Sequence, residues 1–240
     1  MRAVICGAGG AMGQLLQKRF ADSVVGLVSL EGENGAVTSF SQLSDLRADV
    51  VVDFSHHSAI FDVLDYAIAH NCAAVIGTTG HTIEEKQKIT DAAKRIPVFY
   101  SGNMSLGIAV LCRLAKQAAQ SFPDADIEIV EVHHNRKADA PSGTAHMIFE
   151  SLKEVRQEAY EHCGRDGEGK RQSGEIGISS VRMGGVVGIH EVHIATNSQI
   201  LTLRHEARDR AMFADGALDA ARFLMGKAPG LYTMNDLLEA

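Results

Sequence analysis

Two histidines, a lysine and a Pro-Ser-Gly-Thr helix start fall within the fifteen residues EVHHNRKADAPSGTA, Glu131 to Ala145. That combination suits binding an anion and protonating something beside it. Ser142, Gly143 and Thr144 open a helix whose first-turn N–H groups and positive dipole end favour a carboxylate, and the Thr144 hydroxyl adds a donor. Lys137 and His134 bring positive charge to the same anion. Histidine is the side chain that titrates near neutrality, so His133 is the candidate general acid. Reduction of an imine needs such a proton together with a hydride.

The geometry sets a condition. Successive side chains on a strand face opposite ways, so His133 and His134 serve one ligand only if the strand IEIVEVHH ends there. Asn135 to Ala140 contains turn formers and Pro141 bars a continuing central strand, which predicts an irregular loop. Arg182, in RMGGVVGIH, reads either as a further contact to the anion or as a surface charge. His190, His193 and His205 raise the histidine density. However, His190 and His193 lie three apart on a predicted strand, on opposite faces, and no H-E-x-x-H or C-x-x-C occurs, so no metal site is expected.

A hydride source is suggested at the other end of the chain. The run RAVIC leads into GAGGAMG, in which Gly7, Ala8, Gly9, Gly10, Ala11 and Met12 form a turn ahead of a helix. Glycines there let the backbone approach a pyrophosphate held at the helix N-terminus. The spacing is G-x-x-G-x-x-G through Gly7, Gly10 and Gly13; a plain strand-to-helix turn is the alternative, and the position in a βαβ unit favours a dinucleotide. The second strand ends in Ser29, Leu30 and Glu31 with no Lys or Arg nearby, which favours NADH, or indifference, over strict use of NADPH. Two more strand ends carry small polar residues: Gly77, Thr78 and Thr79 in GTTG, and Ser101, Gly102, Asn103 and Met104 in SGNMS. Ligands of open α/β sheets bind at such ends, and Asp53-Phe54-Ser55 occupies an equivalent one.

The elements that must position these residues fall into two patterns. Over the first hundred residues, short β-rich runs (RAVIC, VVGLVSL, DVVVDFS, AAVIG, PVFYS) alternate with helical stretches from Met12 to about Ala21 and near Ile60 to Ala69. A third helix opens on a capping box of Thr82 and Glu85. This rhythm predicts a Rossmann-like doubly wound parallel sheet. From Ile127 the pattern changes to a strand, a helix near Gly143, a glycine-rich polar loop and three further strands, IGISSVR, VVGIHEVHIA and QILTLRH. That predicts a smaller α+β domain with a mixed sheet of about four strands. A helix follows Ala211 and ends near Gly226, with a Leu-rich tail able to pack back on the first domain. The expected division is 1–105 completed by 211–240, and 106–210. The loop CGRDGEGKRQSGE is a candidate flexible arm or subunit contact.

Composition narrows the function classes. With 240 residues, 45% apolar content and a net charge of −7, the chain is globular and poorly suited to a polyanion partner, so no nucleic acid is expected. Its apolar runs are short or glycine-broken, and no charged leader precedes RAVIC, which predicts a soluble, cytoplasmic protein without a membrane partner. Cys6, Cys72, Cys112 and Cys163 are scattered, so neither disulfides nor zinc are expected.

Taken together, Gly7 to Gly13, Gly77 to Gly80, Ser101 to Ser105 and His133 to Thr144 resemble bacterial dihydrodipicolinate reductases. The E-x-H-H-x-x-K-x-D-A-P-S-G-T string is the most specific part, and the likeness spans nearly the whole chain. The resemblance implies a dinucleotide domain and a substrate domain that also builds a homotetramer, a hinge between them, and NADH or NADPH as cofactor. It implies a small cyclic dicarboxylate substrate, 4-hydroxy-tetrahydrodipicolinate, reduced to tetrahydrodipicolinate on the diaminopimelate route to lysine. By position, His133 becomes the acid/base residue and Lys137 the second proton donor. His134, Gly143 and Thr144 become substrate ligands, and Gly7 to Met12, Gly77 to Thr79 and Ser101 to Met104 cofactor contacts. Ser101-Gly102 departs from the family's common Ala-Pro or Ala-Asn, and Ser29-Leu30-Glu31 lacks the Glu-Arg pair of some members, which leaves the cofactor preference open. Two other classes remain: a non-catalytic dinucleotide sensor, which explains only the glycine turn, and a metal-dependent hydrolase, which predicts inactivation by chelators.

Overall fold

Short β-branched runs separated by amphipathic helices build the first part of the chain, and longer alternating strands build the second. A computed structural model describes residues 1–240, apart from the side chain of Asn34. The chain divides into two compact units, Met1–Ser105 with Arg210–Ala240, and Leu106–Asp209.

The first unit begins β1 (Ala3–Cys6), α1 (Ala11–Phe20), β2 (Val24–Val28), β3 (Val50–Asp53), α2 (Ile60–Ala69), β4 (Ala73–Ile76), α3 (Ile83–Ala93) and β5 (Pro97–Tyr100). The second comprises α4 (Leu106–Ser121), β6 (Asp126–His133), α5 (Gly143–Lys153), β7 (Tyr160–Cys163), β8 (Glu175–Arg182), β9 (Gly188–Ala195) and β10 (Ile200–Ala207). The chain then completes the first unit with α6 (Ala211–Leu224), β11 (Gly230–Tyr232) and α7 (Met234–Leu238).

In the first unit the six strands run in the order β11-β5-β4-β3-β1-β2, all parallel. Central strands β1, β3 and β4 are buried along their whole length. They accordingly read as continuous apolar runs, as both-face burial requires. The order reverses at β1 and β3, and the turns leaving their carboxyl ends carry Gly7 and Phe54. The capping box at α3 forms in both directions, Thr82 Oγ1 accepting from the Glu85 amide and Glu85 from the Thr82 amide. Helix α6 buries a face of Ala214, Gly216, Ala217, Ala220 and Ala221 and packs against α1, β4 and β5. The sequence pattern predicts five strands here; the sixth, β11, is three residues long and has no periodicity to reveal it.

In the second unit the order is β10-β9-β6-β8-β7, mixed in direction: β6 runs parallel to β8 and antiparallel to β9. One face, with Ile127, Ile129, Ile176, Ile178, Val192 and Ile194, packs under Ile108, Leu111 and Ala115 of α4 and Ile148, Phe149 and Leu152 of α5. Here too an extra edge strand appears, β7, whose sequence YEHC has no apolar alternation. The polar loop, a candidate flexible arm or subunit contact, is held by ion pairs: Arg171 meets Asp126 at 2.9 Å and also Glu128, and Arg165 meets Glu175. Among the described residues no helix is long and apolar enough to cross a membrane.

Candidate active site

Strand alternation carries the buried face of β6 from Ile127 and Ile129 on to Glu131 and His133, so a carboxylate and an imidazole arrive on the core side at the strand's end. Glu131 is fully buried. Several groups converge on it. His133 Nδ1 is hydrogen-bonded to Oε2, Arg182 donates from Nη1 to Oε2 and from Nη2 to Oε1, each at 2.8 Å, and the Ser142 amide donates to Oε1 at 3.2 Å. Register accounts for the meeting: His133 stands opposite Arg182 across β6 and β8, and Glu131 opposite His190 across β6 and β9.

The electrostatics follow from this packing. Burial pushes the Glu131 carboxyl up, but the hydrogen bonds from Arg182, Ser180 and His133 together outweigh it and bring the pKa down to about 2. A charged Glu131 accepts the proton of His133 Nδ1 and thereby assigns Nε2 as the nitrogen for proton exchange. Space at Nε2 is protected by Gly188, where a Cβ would come within 3.1 Å of it. Beside it, the His190 ring lies edge-on to His133 at 5.1 Å between centroids, and its Nε2 is 3.3 Å from Ser142 Oγ. Burial, and secondly the charge of His133, push the His190 pKa down to about 4, so His190 is neutral at pH 7.

Strand β6 does end at His133, and His134 is the first residue of the irregular loop that follows. The loop is tied to the end of β8: Met183 N donates to His133 O at 2.8 Å, Asn135 N to Gly184 O at 3.2 Å, and Arg182 Nη2 to Asp139 O at 2.6 Å. Lys137 Nζ pairs with Asp139 Oδ2 at 2.8 Å. Ser142 caps α5, its Oγ accepting from the Ala145 amide at 3.2 Å. Gly143 is exposed at the open end of α5, with nothing within 4 Å of where its Cβ would lie. Loop and helix start thus supply cation and dipole beside a histidine backed by a carboxylate. Arg182, a candidate anion contact by sequence, is instead spent on Glu131. Glu131 itself was visible only as the first letter of a motif, because its partner Arg182 lies fifty-one positions away.

In the first unit, Gly7 to Met12 follow β1, Gly77 to Thr79 follow β4 and Ser101 to Met104 follow β5, all at carboxyl ends of one parallel sheet. Gly7 has φ +82°, and any Cβ there would overlap the Phe54 carbonyl. The N-terminus of α1 has no capping side chain and no acidic residue in its first turn, which leaves its positive end for a ligand. These features fit the phosphates of a dinucleotide. Thr78 and Asn103 are buried and bonded inward, Thr78 Oγ1 accepting from Ser55 N at 2.9 Å and Asn103 Oδ1 from Ser105 N at 2.8 Å. Met104 is likewise buried, whereas Thr79 and Gly102 are exposed. Among the described residues no group of three or more His, Cys, Asp or Glu is arranged to hold a metal ion.

Family models described as "Dihydrodipicolinate reductase, N-terminus" and "Dihydrodipicolinate reductase, C-terminus" match residues 1–104 and 107–238. The chain belongs to the dihydrodipicolinate reductase family. It is 44% identical to the 4-hydroxy-tetrahydrodipicolinate reductase of Alkaliphilus oremlandii, over 99% of this chain and 98% of that one. To the protein of the same name from Akkermansia muciniphila it is 42% identical, over 98% and 96%. Among solved structures it superposes on a dipicolinate-bound dihydrodipicolinate reductase from Paenisporosarcina with a TM-score of 0.79 and 26% identity, covering 98% of both chains. An aspartate dehydrogenase from Thermotoga maritima, 13% identical with a TM-score of 0.55, shares the fold alone. As a member of this reductase family the chain is an NAD(P)H-dependent oxidoreductase with a Rossmann-type first unit.

Proposed function

We infer that the chain reduces 4-hydroxy-tetrahydrodipicolinate to tetrahydrodipicolinate with NADH or NADPH, on the diaminopimelate route to lysine, and that His133 and Lys137 handle the protons. The observation that carries the residue assignment is the buried, charged Glu131 bonded to His133 Nδ1, with the open start of α5 and Lys137 in the segment that follows. The nicotinamide, when bound, supplies a hydride to the substrate ring. In balance, one hydride and one proton enter and one water leaves, so the protein has to deliver a proton as the 4-hydroxyl departs. His133 Nε2 is the donor in this reading. Glu131, bonded to Nδ1, holds the ring orientation and leaves Nε2 for proton exchange. Lys137, paired with Asp139, is the second donor, and with His134, Ser142, Gly143 and Thr144 it binds the substrate carboxylates, the helix start supplying N–H donors.

In the same reading the first unit holds the dinucleotide through Gly7 to Met12, Gly77 to Thr79 and Ser101 to Met104. Residues 106–210 hold the substrate and build a homotetramer in the cytoplasm. The exposed apolar residues Ile200 and Leu201 on edge strand β10 are consistent with burial against another copy. Sedimentation of the intact protein reads the assembly directly.

The deciding measurement is loss of nicotinamide absorbance with freshly prepared substrate, for wild type, His133→Gln and Lys137→Ala. General acids contribute about 10²- to 10⁴-fold, so kcat should fall by that order in each variant while nucleotide binding persists. Wild type that binds nucleotide yet consumes none rejects the reading.

A further inference from the structure

The buried face of β9 carries a histidine that the reading so far does not use. His190 is 4% exposed and stands beside Glu131 across the β6–β9 register. Its Nε2 is 3.3 Å from Ser142 Oγ, an oxygen that already accepts the Ala145 amide at 3.2 Å. Ser142 Oγ therefore has its own hydrogen to give, and His190 Nε2 receives it. Because the imidazole is neutral at pH 7, its single proton then sits on Nδ1, which is shielded from water and has no hydrogen-bond partner among the described residues. A buried N–H without an acceptor is costly, and an apolar side chain of similar size avoids that cost, so packing does not by itself account for a histidine here.

What His190 holds is the cap of the substrate-binding helix start. Ser142 is tied on two sides, its amide donating to Glu131 Oε1 at 3.2 Å and its hydroxyl to His190. Glu131 in turn is bonded to His133 Nδ1, and the His190 ring lies edge-on to that of His133. Gly188 leaves room for both rings, since a Cβ there would stand 3.1 Å from His133 Nε2 and 3.7 Å from His190 Cε1. We propose that His190 is a positioning residue of this site: as the acceptor for the Ser142 hydroxyl it fixes the start of α5, and so aims the first amides of that helix at a substrate carboxylate in register with the proton donor His133. Its role rests on the reductase reading, because the ligand aimed at is that reading's dicarboxylate.

The test is binding of dipicolinate to the intact protein in the presence of NADH, for wild type, His190→Leu, His190→Gln, Ser142→Ala and the double variant His190→Leu/Ser142→Ala. In His190→Leu the Kd for dipicolinate should rise about 5-fold, as loss of one buried hydrogen bond implies. The Kd for NADH and the thermal midpoint should stay near wild type, because one unpaired buried group merely replaces another. His190→Gln, whose side-chain oxygen reaches the place of Nε2, should restore most of the affinity. Ser142→Ala should weaken dipicolinate to a similar degree, and the double variant should be no weaker than either single one, since the two side chains act as a unit. Nitrogen NMR of labelled imidazoles at pH 7 should find the His190 proton on Nδ1. Overturning results are additive losses in the double variant, unchanged affinity in His190→Leu, a midpoint there that falls along with the affinity, a loss that Gln does not restore, or a proton on Nε2. Each of these leaves the reductase reading standing. A wild type that neither binds dipicolinate nor turns over substrate rejects both.

Discussion

The end of β6 and the turn after β1 are both strand ends prepared for a ligand, yet they are made of different materials. At β6 the work falls to side chains: a buried carboxylate, an imidazole and a guanidinium share hydrogen bonds, and a second imidazole packs edge-on beside them. At β1 the material is backbone: glycines hold a turn that no side chain could enter, and the open end of α1 offers amides. The first kind of site concentrates stability and chemistry in the same atoms. The second separates them, so nucleotide binding there can be lost at modest cost to the fold.

The sharpest way to break this contrast is Glu131→Ala. It leaves Arg182 half-buried beside an empty space, and removing one partner of a buried pair costs about 3–5 kcal/mol. Chemical denaturation should show that loss, with turnover falling as well.

Next in size is a pH effect at His190. An unfolded imidazole gains its proton near pH 6.5, the buried one only near 4, so its contribution to stability is complete above pH 6.5 and is lost as pH falls toward 4. The loss reaches about 3 kcal/mol, and denaturation midpoints of His190→Asn at pH 7 and pH 4.5 should differ less than those of wild type. Glu131 acts in a lower window: its contribution holds above its ordinary value of 4.5 and disappears only as pH falls to about 2.

Gly7→Ala probes the other material. Its left-handed backbone costs about 1–3 kcal/mol in an alanine, and the overlap with the Phe54 carbonyl forces the turn open. Titration should show nucleotide affinity lost and dipicolinate binding kept; loss of both would mean that the two sites are not separable. The smallest effect belongs to Ser142→Ala, which removes the α5 cap for about 1 kcal/mol. Thermal unfolding detects it.

The contrast also explains what was legible in the sequence. Backbone devices announce themselves locally: the glycine turn, the Thr82 capping box and the end of β6 at His133 all follow from residues within a few positions of one another. The histidine-lysine loop and the Ser142 helix start were legible for the same reason. Pairings between strands were not. Arg182 read either as a contact to the substrate anion or as a surface charge, and only the β6–β8 register delivers it to Glu131. Glu33 was not legible as a neighbour of the glycine turn, because only the left-handed Gly32 turns the chain back over Gly9. Edge strands β7 and β11 escaped because strands so short are defined by the neighbour they pair with rather than by their own pattern.

The first unit is also interrupted: α6 and β11 belong to it, but more than a hundred residues of the second unit separate them from β5. On the ribosome, the second unit is therefore complete before the first has received its last strand or the alanine-faced helix that covers β4 and β5. A nascent chain halted before Arg210 carries a finished β6 with His133 at its end and an unfinished nucleotide fold, with the apolar faces of β4 and β5 still waiting for cover.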